Sequence, residues 1–173
     1  GPALLDRGAR SVVCAVPAGQ HRLVSKEVRA GSLTRAVADA LRGSPARRAC
    51  AGGHGLRFLA AGAPEPLAYL EWRRLGLPVR SLVLLEDLRP DEGAHVVLER
   101  PDAARREAAL DALLHLLLRL HRAGVDHGDL KASNVLLRAE GRALVPRLVD
   151  LEGVRFRRQL TDSRRRRDMA QLN

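Results

Sequence analysis

The segment His127–Asn134 reads His-Gly-Asp-Leu-Lys-Ala-Ser-Asn, and Asp150 follows sixteen positions after Asn134. Asp129 offers a carboxylate that can orient a hydroxyl and accept its proton. Lys131 offers a cation that can approach a transferring phosphate. Asn134 and Asp150 offer a carboxamide and a carboxylate oxygen, the hard donors that Mg²⁺ prefers. Phosphoryl transfer asks mainly for positioning and charge neutralisation, so this set suits moving a phosphoryl group from ATP to a hydroxyl. A second lysine is then expected on a strand of the first half, holding the α- and β-phosphates. Lys26, in Leu23-Val24-Ser25-Lys26, is the lysine available there. The composition sharpens the reading: of 30 basic residues only Lys26 and Lys131 are lysines, Asn134 and Asn173 are the only asparagines, and isoleucine is absent.

These residues need elements to hold them. Ser11–Val16 and Arg22–Val28 are short β-rich runs around Pro17-Ala18-Gly19-Gln20 and predict a hairpin. Ser32 caps a helix whose apolar positions Leu33, Ala36, Val37, Ala40 and Leu41 follow the helical period, and Gly43 stops it. Ser44-Pro45 opens a second helix running to about Ala61. Leu67–Trp72 and Ser81–Leu88 predict two more strands. Arg89–Gly93 predicts a polar loop between two lobes, residues 1–88 and 89–173. Asp102 caps a long helix to about Ala123, with Leu110, Leu113, Leu114, Leu117 and Leu120 on one face and Gly124 at its end. Two short strands, Asn134–Leu137 and Pro146–Val149, follow with Gly141 between them, and another helix begins after Thr161. A hairpin sets its two ends side by side, so Asn134 and Asp150 are expected to share a metal ion despite their separation in sequence.

The 173 residues are 46% hydrophobic, enough for one domain with a real core or two small lobes sharing a cleft. The longest apolar stretch, Ala108–Leu120, is interrupted by Asp111, His115 and Arg119, which argues against a membrane span. Gly1-Pro2 reads as a trimmed start or a tag scar, with no signal peptide. Cys14 and Cys50 are too few for a disulfide framework, have no metal-ligand spacing and read as small core residues of a protein in the reducing cytoplasm. The net charge of +10 implies phosphate-rich partners (nucleic acid, nucleotide or an anionic membrane) or else reflects a GC-rich genome in which Arg replaces Lys. Aromatics make up only 2% of the chain, which argues against a nucleic-acid binder that stacks bases.

The H-x-D-x-x-x-x-N pattern with its downstream Asp resembles the protein-kinase-like fold. At finer grain, Leu120–Asn134, Leu148–Phe156 and Arg167–Leu172 resemble the bacterial lipopolysaccharide core kinases, the Kdo/heptose kinase family. The resemblance covers nearly the whole chain, is strong from His121 to Phe156 and soft before Ser81. It implies an α+β, two-lobed fold with a small antiparallel β N-lobe and a mainly helical C-lobe, ending here before further helices. It implies Mg-ATP-dependent phosphorylation of a sugar hydroxyl in the lipopolysaccharide inner core, in the cytoplasm and peripheral to the inner membrane. Ser81–Leu88 resembles the strand leading to the adenine-binding hinge, so the backbones of Glu86 and Leu88 are implied adenine contacts. Three features depart from the kinase pattern. Asp6–Arg10 carries one glycine where a G-x-G-x-x-G loop would cover the phosphates. Asp150-Leu151-Glu152 stands for D-F-G, with its glycine one place late. The Glu expected to pair with Lys26 is missing: Asp39 is the only acid between Glu27 and Glu65, Arg47 sits near its place, and Glu27 should point to the opposite face from Lys26.

Two other readings stand beside this one: a small atypical Ser/Thr protein kinase, and a nucleotide-binding pseudokinase scaffold. Arg155, Arg157, Arg158 and Arg164–Arg167 form the densest positive cluster, either a solvated helix face or a dock for an anionic acceptor at the membrane surface. Asp168 reads as a brace. His115, His121 and His127 are six apart, a poor spacing for a shared zinc, and His121 and His127 read as packing under the loop.

Overall fold

A computed structural model describes residues 1–141 and 143–172. The chain divides into two compact units: Gly1–His54 with Glu65–Asp87, and Gly55–Pro64 with the chain from Leu88 onward.

The first unit is a five-stranded antiparallel sheet of β1 (Ala3–Arg7), β2 (Ser11–Ala18), β3 (His21–Arg29), β4 (Pro66–Arg74) and β5 (Leu77–Glu86), in the order β1-β2-β3-β5-β4. The β2–β3 hairpin closes through Ala18↔His21, with Gly19 at φ 62° supplying the left-handed turn conformation. β1 is an added strand: Asp6 and Arg7 pair with Val13 and Val12 instead of lying in a loop. The β4–β5 turn, Leu75-Gly76, has positive φ at both residues, a geometry usually marked by Asn-Gly or Asp-Gly. Leucine in the first position hid this turn, so β4 runs further and β5 starts earlier than the sequence predicts.

Helix α1 (Leu33–Arg42) begins where the Ser32 hydroxyl accepts the Arg35 N–H (3.3 Å) and ends at Gly43. Of its five apolar positions only Ala36 is buried, while Leu33 and Leu41 are 71% and 84% exposed. Helix α2 (Pro45–Phe58) starts on the Ser44 hydroxyl, which accepts the Arg47 N–H. It stops short of Ala61 because Ala60 adopts φ 51°, with Ala61 N–H donating to the Leu56 carbonyl and Ala60 N–H to the Arg57 carbonyl. That is a Schellman stop with alanine in the usual glycine place.

In the second unit the segment expected as a polar loop contains β6 (Glu92–Gly93), followed by the unexpected helix α3 (Ala94–Glu99). Helix α4 (Ala103–Arg122) is capped by the Asp102 carboxylate, which accepts the Arg105 N–H at 3.0 Å, and Gly124 follows its end at φ 69°. Its buried face is Ala109, Ala112, Leu113, Leu116, Leu117 and Leu120; Leu110 and Leu114 are exposed, so the expected stripe is rotated. The run Leu113–Leu118 is apolar around most of the helix, and packing on α3 and on β9 (Ala143–Leu148) selects the arc. β8 (Val135–Glu140) pairs with β9 from Val135↔Leu148 to Glu140↔Ala143, and with β6 on its other edge. The two-residue strands β7 (Val125–Asp126) and β10 (Arg155–Phe156) pair with each other. Helix α5 (Asp162–Gln171) follows. Cys14 and Cys50 are half-buried free thiols, not core residues.

Candidate functional site

The loop after β7 is fixed from below by His127. Its ring is 1% exposed and its Nε2 lies 3.1 Å from the Val149 carbonyl. Burial lowers the His127 pKa below its ordinary 6.5, against the opposing pull of that carbonyl and of Asp150 and Asp129. The chain then turns at Gly128, φ 85°. A Cβ there would sit 3.0 Å from the Gly153 carbonyl oxygen, and a Cβ on Gly153 would sit 2.8 Å from the His127 carbonyl oxygen. Only backbone fits at this crossing. The glycine that stands one place late after Asp150 is therefore where the second segment passes the first.

Asp129 follows, its side chain two-fifths exposed, with Lys131 Nζ 2.8 Å from Oδ2. That contact raises the pKa of the exposed Lys131 ammonium. The Asn134 carboxamide nitrogen donates to the Asp129 carbonyl at 2.8 Å and approaches Asp129 Oδ2 at 3.3 Å. This turns the Asn134 Oδ1 away from that carbonyl. The β8–β9 hairpin brings the far segment alongside, with the Val149 N–H donating to the Asn134 carbonyl at 2.9 Å. Asp150, next in the chain, adopts φ 59° and ψ 57°, and a short 3₁₀ turn, Leu151–Gly153, buries Leu151 behind it. Asp129, Lys131, Asn134 and Asp150 thus gather on one loop and one hairpin end. Among the described residues no three or more His, Cys, Asp or Glu converge on a metal position. One carboxylate and one carboxamide oxygen fit Mg²⁺ in the manner of nucleotide sites, where phosphate oxygens and waters complete the octahedron.

Lys26 lies on β3, opposite Val13 and Val83, and is half-buried. Glu27 next to it is committed to Arg29 and Arg80, at 3.1 and 2.6 Å. These guanidinium contacts outweigh the effect of burial, which acts upward, and hold its carboxyl pKa below the usual range. Asp39 is paired with Arg48 at 2.9 Å. At the end of β5 the Glu86 N–H donates to the Glu65 carbonyl at 2.8 Å, and its Oε2 accepts the Glu65 N–H. The Leu88 carbonyl accepts the Asp91 N–H, and the Leu88 side chain is buried.

The sequence reading missed Asp126. Its side chain is 2% exposed and takes Arg167 at 2.6 Å, Arg157 at 3.3 Å and Arg164. Burial alone would raise its pKa, but the guanidiniums of Arg167 and Arg164 hold it below the ordinary 3.8. Three of the seven arginines expected to form a solvated face or a dock are therefore committed to a buried carboxylate, their side chains half-exposed. Arg155, Arg158, Arg165 and Arg166 stay exposed. Asp168 is buried, with its Oδ2 3.2 Å from His121 Nε2. Asp126 left no local signal, because its partners stand 31 to 41 residues away.

The sequence model of the lipopolysaccharide kinase (Kdo/WaaP) family matches residues 46–173, well over half of the chain. A 3-deoxy-D-manno-octulosonic acid kinase of Xanthomonas axonopodis pv. citri is 41% identical over 78 residues, which are 45% of this chain and 30% of that protein. One from Stenotrophomonas maltophilia is 38% identical over the same shares. The match thus spans under a third of these relatives' length. A solved structure titled "WaaP in complex with acyl carrier protein" superposes with a TM-score of 0.71 at 19% identity, over 98% of this chain and 68% of that one. That likeness establishes the α+β, kinase-like fold implied by the loop pattern. Among the described residues no helix is long and apolar enough to cross a membrane.

Proposed function

Because this chain belongs to the lipopolysaccharide kinase (Kdo/WaaP) family, we propose that it transfers the γ-phosphoryl group of ATP to a sugar hydroxyl of the lipopolysaccharide inner core. The observation that carries the reading is the Asp129 carboxylate, held by Lys131 and Asn134 with the Asp150 segment tied alongside. Asp129 orients the acceptor hydroxyl through the oxygen that Lys131 leaves open and takes its proton. The hydroxyl oxygen bonds to the γ-phosphorus, the bond to the β-bridging oxygen breaks, and ADP leaves. Lys131 neutralises the charge on the transferring group. Asn134 and Asp150 are the residues that would hold Mg²⁺, which supplies charge neutralisation on the phosphate oxygens when bound.

Lys26 is assigned to the α- and β-phosphates. The backbones of Glu86 and Leu88 are assigned to adenine, as the resemblance of Ser81–Leu88 to a hinge strand implies. The 1–88 and 89–173 division is kept as the proposed functional one, nucleotide-gripping strands followed by the reacting loop. Arg155, Arg158, Arg165 and Arg166 support a peripheral, salt-sensitive contact with an anionic surface at the cytoplasmic face of the inner membrane.

The test is γ-phosphate transfer from Mg-ATP to purified lipopolysaccharide core, beside a generic protein acceptor. Label on the sugar is expected, and Asp129→Ala should lower the rate by about 10²–10⁴-fold, the usual contribution of a positioned base. Label on protein alone would replace the reading with an atypical protein kinase. ATP binding without transfer would replace it with a nucleotide-binding scaffold.

A further inference from the structure

The Asp129–Leu130 peptide is gripped on both of its polar atoms. Its carbonyl oxygen accepts the Asn134 Nδ2–H at 2.8 Å and the Lys131 N–H at 3.1 Å. Its N–H donates to Oε1 of Gln171, at 3.1 Å, from the last turn of α5. The Leu130 side chain is fully buried beneath. A peptide plane held on both polar atoms fixes the Asp129 Cα and the direction of its Cα–C bond, which narrows where the side chain can point.

The helix that carries Gln171 is itself tied to the same segment. Arg164, Asp168 and Gln171 recur at helical spacing along one side of α5. Arg164 reaches the buried Asp126, Asp168 reaches His121, and Gln171 reaches Leu130. Asp126 and Leu130 flank the 127–129 stretch. Gln171 accepts this amide through its side-chain carbonyl oxygen, an acceptor that a glutamate in its place would also offer.

We propose that Gln171 is a positioning residue for the transfer, holding the Asp129–Leu130 peptide so that the Asp129 carboxylate faces the acceptor hydroxyl. The inference rests on the phosphotransfer reading above. Its consequence is a change in turnover without a change in nucleotide binding, because a group misplaced by a fraction of an ångström loses rate and not ground-state affinity.

The experiment compares the intact chain with Gln171→Met, which keeps length and removes the amide oxygen, and Gln171→Glu, which keeps an acceptor. Amide exchange at Leu130 is followed by NMR beside steady-state transfer. In Gln171→Met the Leu130 amide should exchange at least about tenfold faster, as expected for loss of a buried hydrogen bond. Its kcat should fall by about tenfold or more, with KM for ATP within about twofold. Gln171→Glu should recover most of both. Gln171→Asn, one methylene short, stands in for Gln171→Met if the latter does not fold. Unchanged Leu130 exchange, unchanged kcat, or parallel losses in Gln171→Met and Gln171→Glu would each overturn the proposal. If the unaltered chain transfers phosphate to no acceptor, the kinase reading fails by itself, and Leu130 exchange still decides whether Gln171 grips the peptide.

Discussion

The two compact units are built on different cores. In the first, the buried apolar residues are small (Ala15, Val28, Ala30, Ala36, Ala46, Ala49 and Val83) while Leu4, Leu5, Leu33, Leu41, Leu70, Trp72 and Leu75 are exposed. In the second, Leu56, Leu116, Leu120, Leu130, Leu148 and Leu151 are fully buried. Buried area scales with side-chain size, at about 25 cal/mol per Å² of apolar surface. The unit with the His127–Asn134 loop therefore buries the larger apolar side chains, and its polar anchors, Asp126 and Asp168, are also buried.

The largest effect expected from this contrast is on Leu120. Leu120→Ala should cost about 3 kcal/mol in urea unfolding, the usual range for emptying a packed leucine site. A loss below 1 kcal/mol, on the order of a surface change, would break the comparison. Asp126→Asn should come next, at about 2 kcal/mol, because it leaves three half-exposed arginines without the buried carboxylate that gathers them. The same carboxylate sets an acid limit. Its folded pKa is depressed, so its stabilisation is present above 3.8 and is lost as pH falls through the lower folded value. Asp126→Asn should flatten the stability profile in that window, and an unchanged acid limb would count against the anchor.

His127 should give a smaller effect of the same sign at higher pH. Its folded pKa lies below 6.5, so its contribution is complete above 6.5 and declines as pH falls towards the lowered value. His127→Gln should remove that slope between neutral pH and about pH 5, where an unperturbed imidazole becomes fully charged. The smallest effect belongs to the first unit's surface. Leu41→Ala should change stability by no more than about 0.5 kcal/mol, as for other exposed sites. A loss like that of Leu120→Ala would show that the apolar face of α1 is covered in solution.

What was legible in the sequence were the features whose physics is local. Ser32, Ser44 and Asp102 cap helices through amides three residues on, and Gly43 and Gly124 end them. The His127–Asn134 spacing and the β8–β9 hairpin are equally short-range, and the structure brings Asn134 and Asp150 to adjacent ends as the hairpin requires. The departures occur where a residue acts outside its usual preference. Ala60 and Leu75 take left-handed conformations that glycine or asparagine would announce, and the six-residue α3 is too short for a periodic signal.

The chemistry-bearing residue types and their order were thus determined by the sequence, the local elements through caps, turns and hydrophobic period, and the kinase-like fold through the resemblance that the loop pattern carries. Three things were decided only by the tertiary structure: which arc of the leucine-rich α4 is buried, which three arginines answer to Asp126, and that Gln171 holds the Leu130 N–H. The physical reason is one of range. A cap or a turn closes within a few bonds, whereas a buried carboxylate or a gripped peptide finds its partner 31 to 41 residues away, and only the packed chain brings them within hydrogen-bond reach.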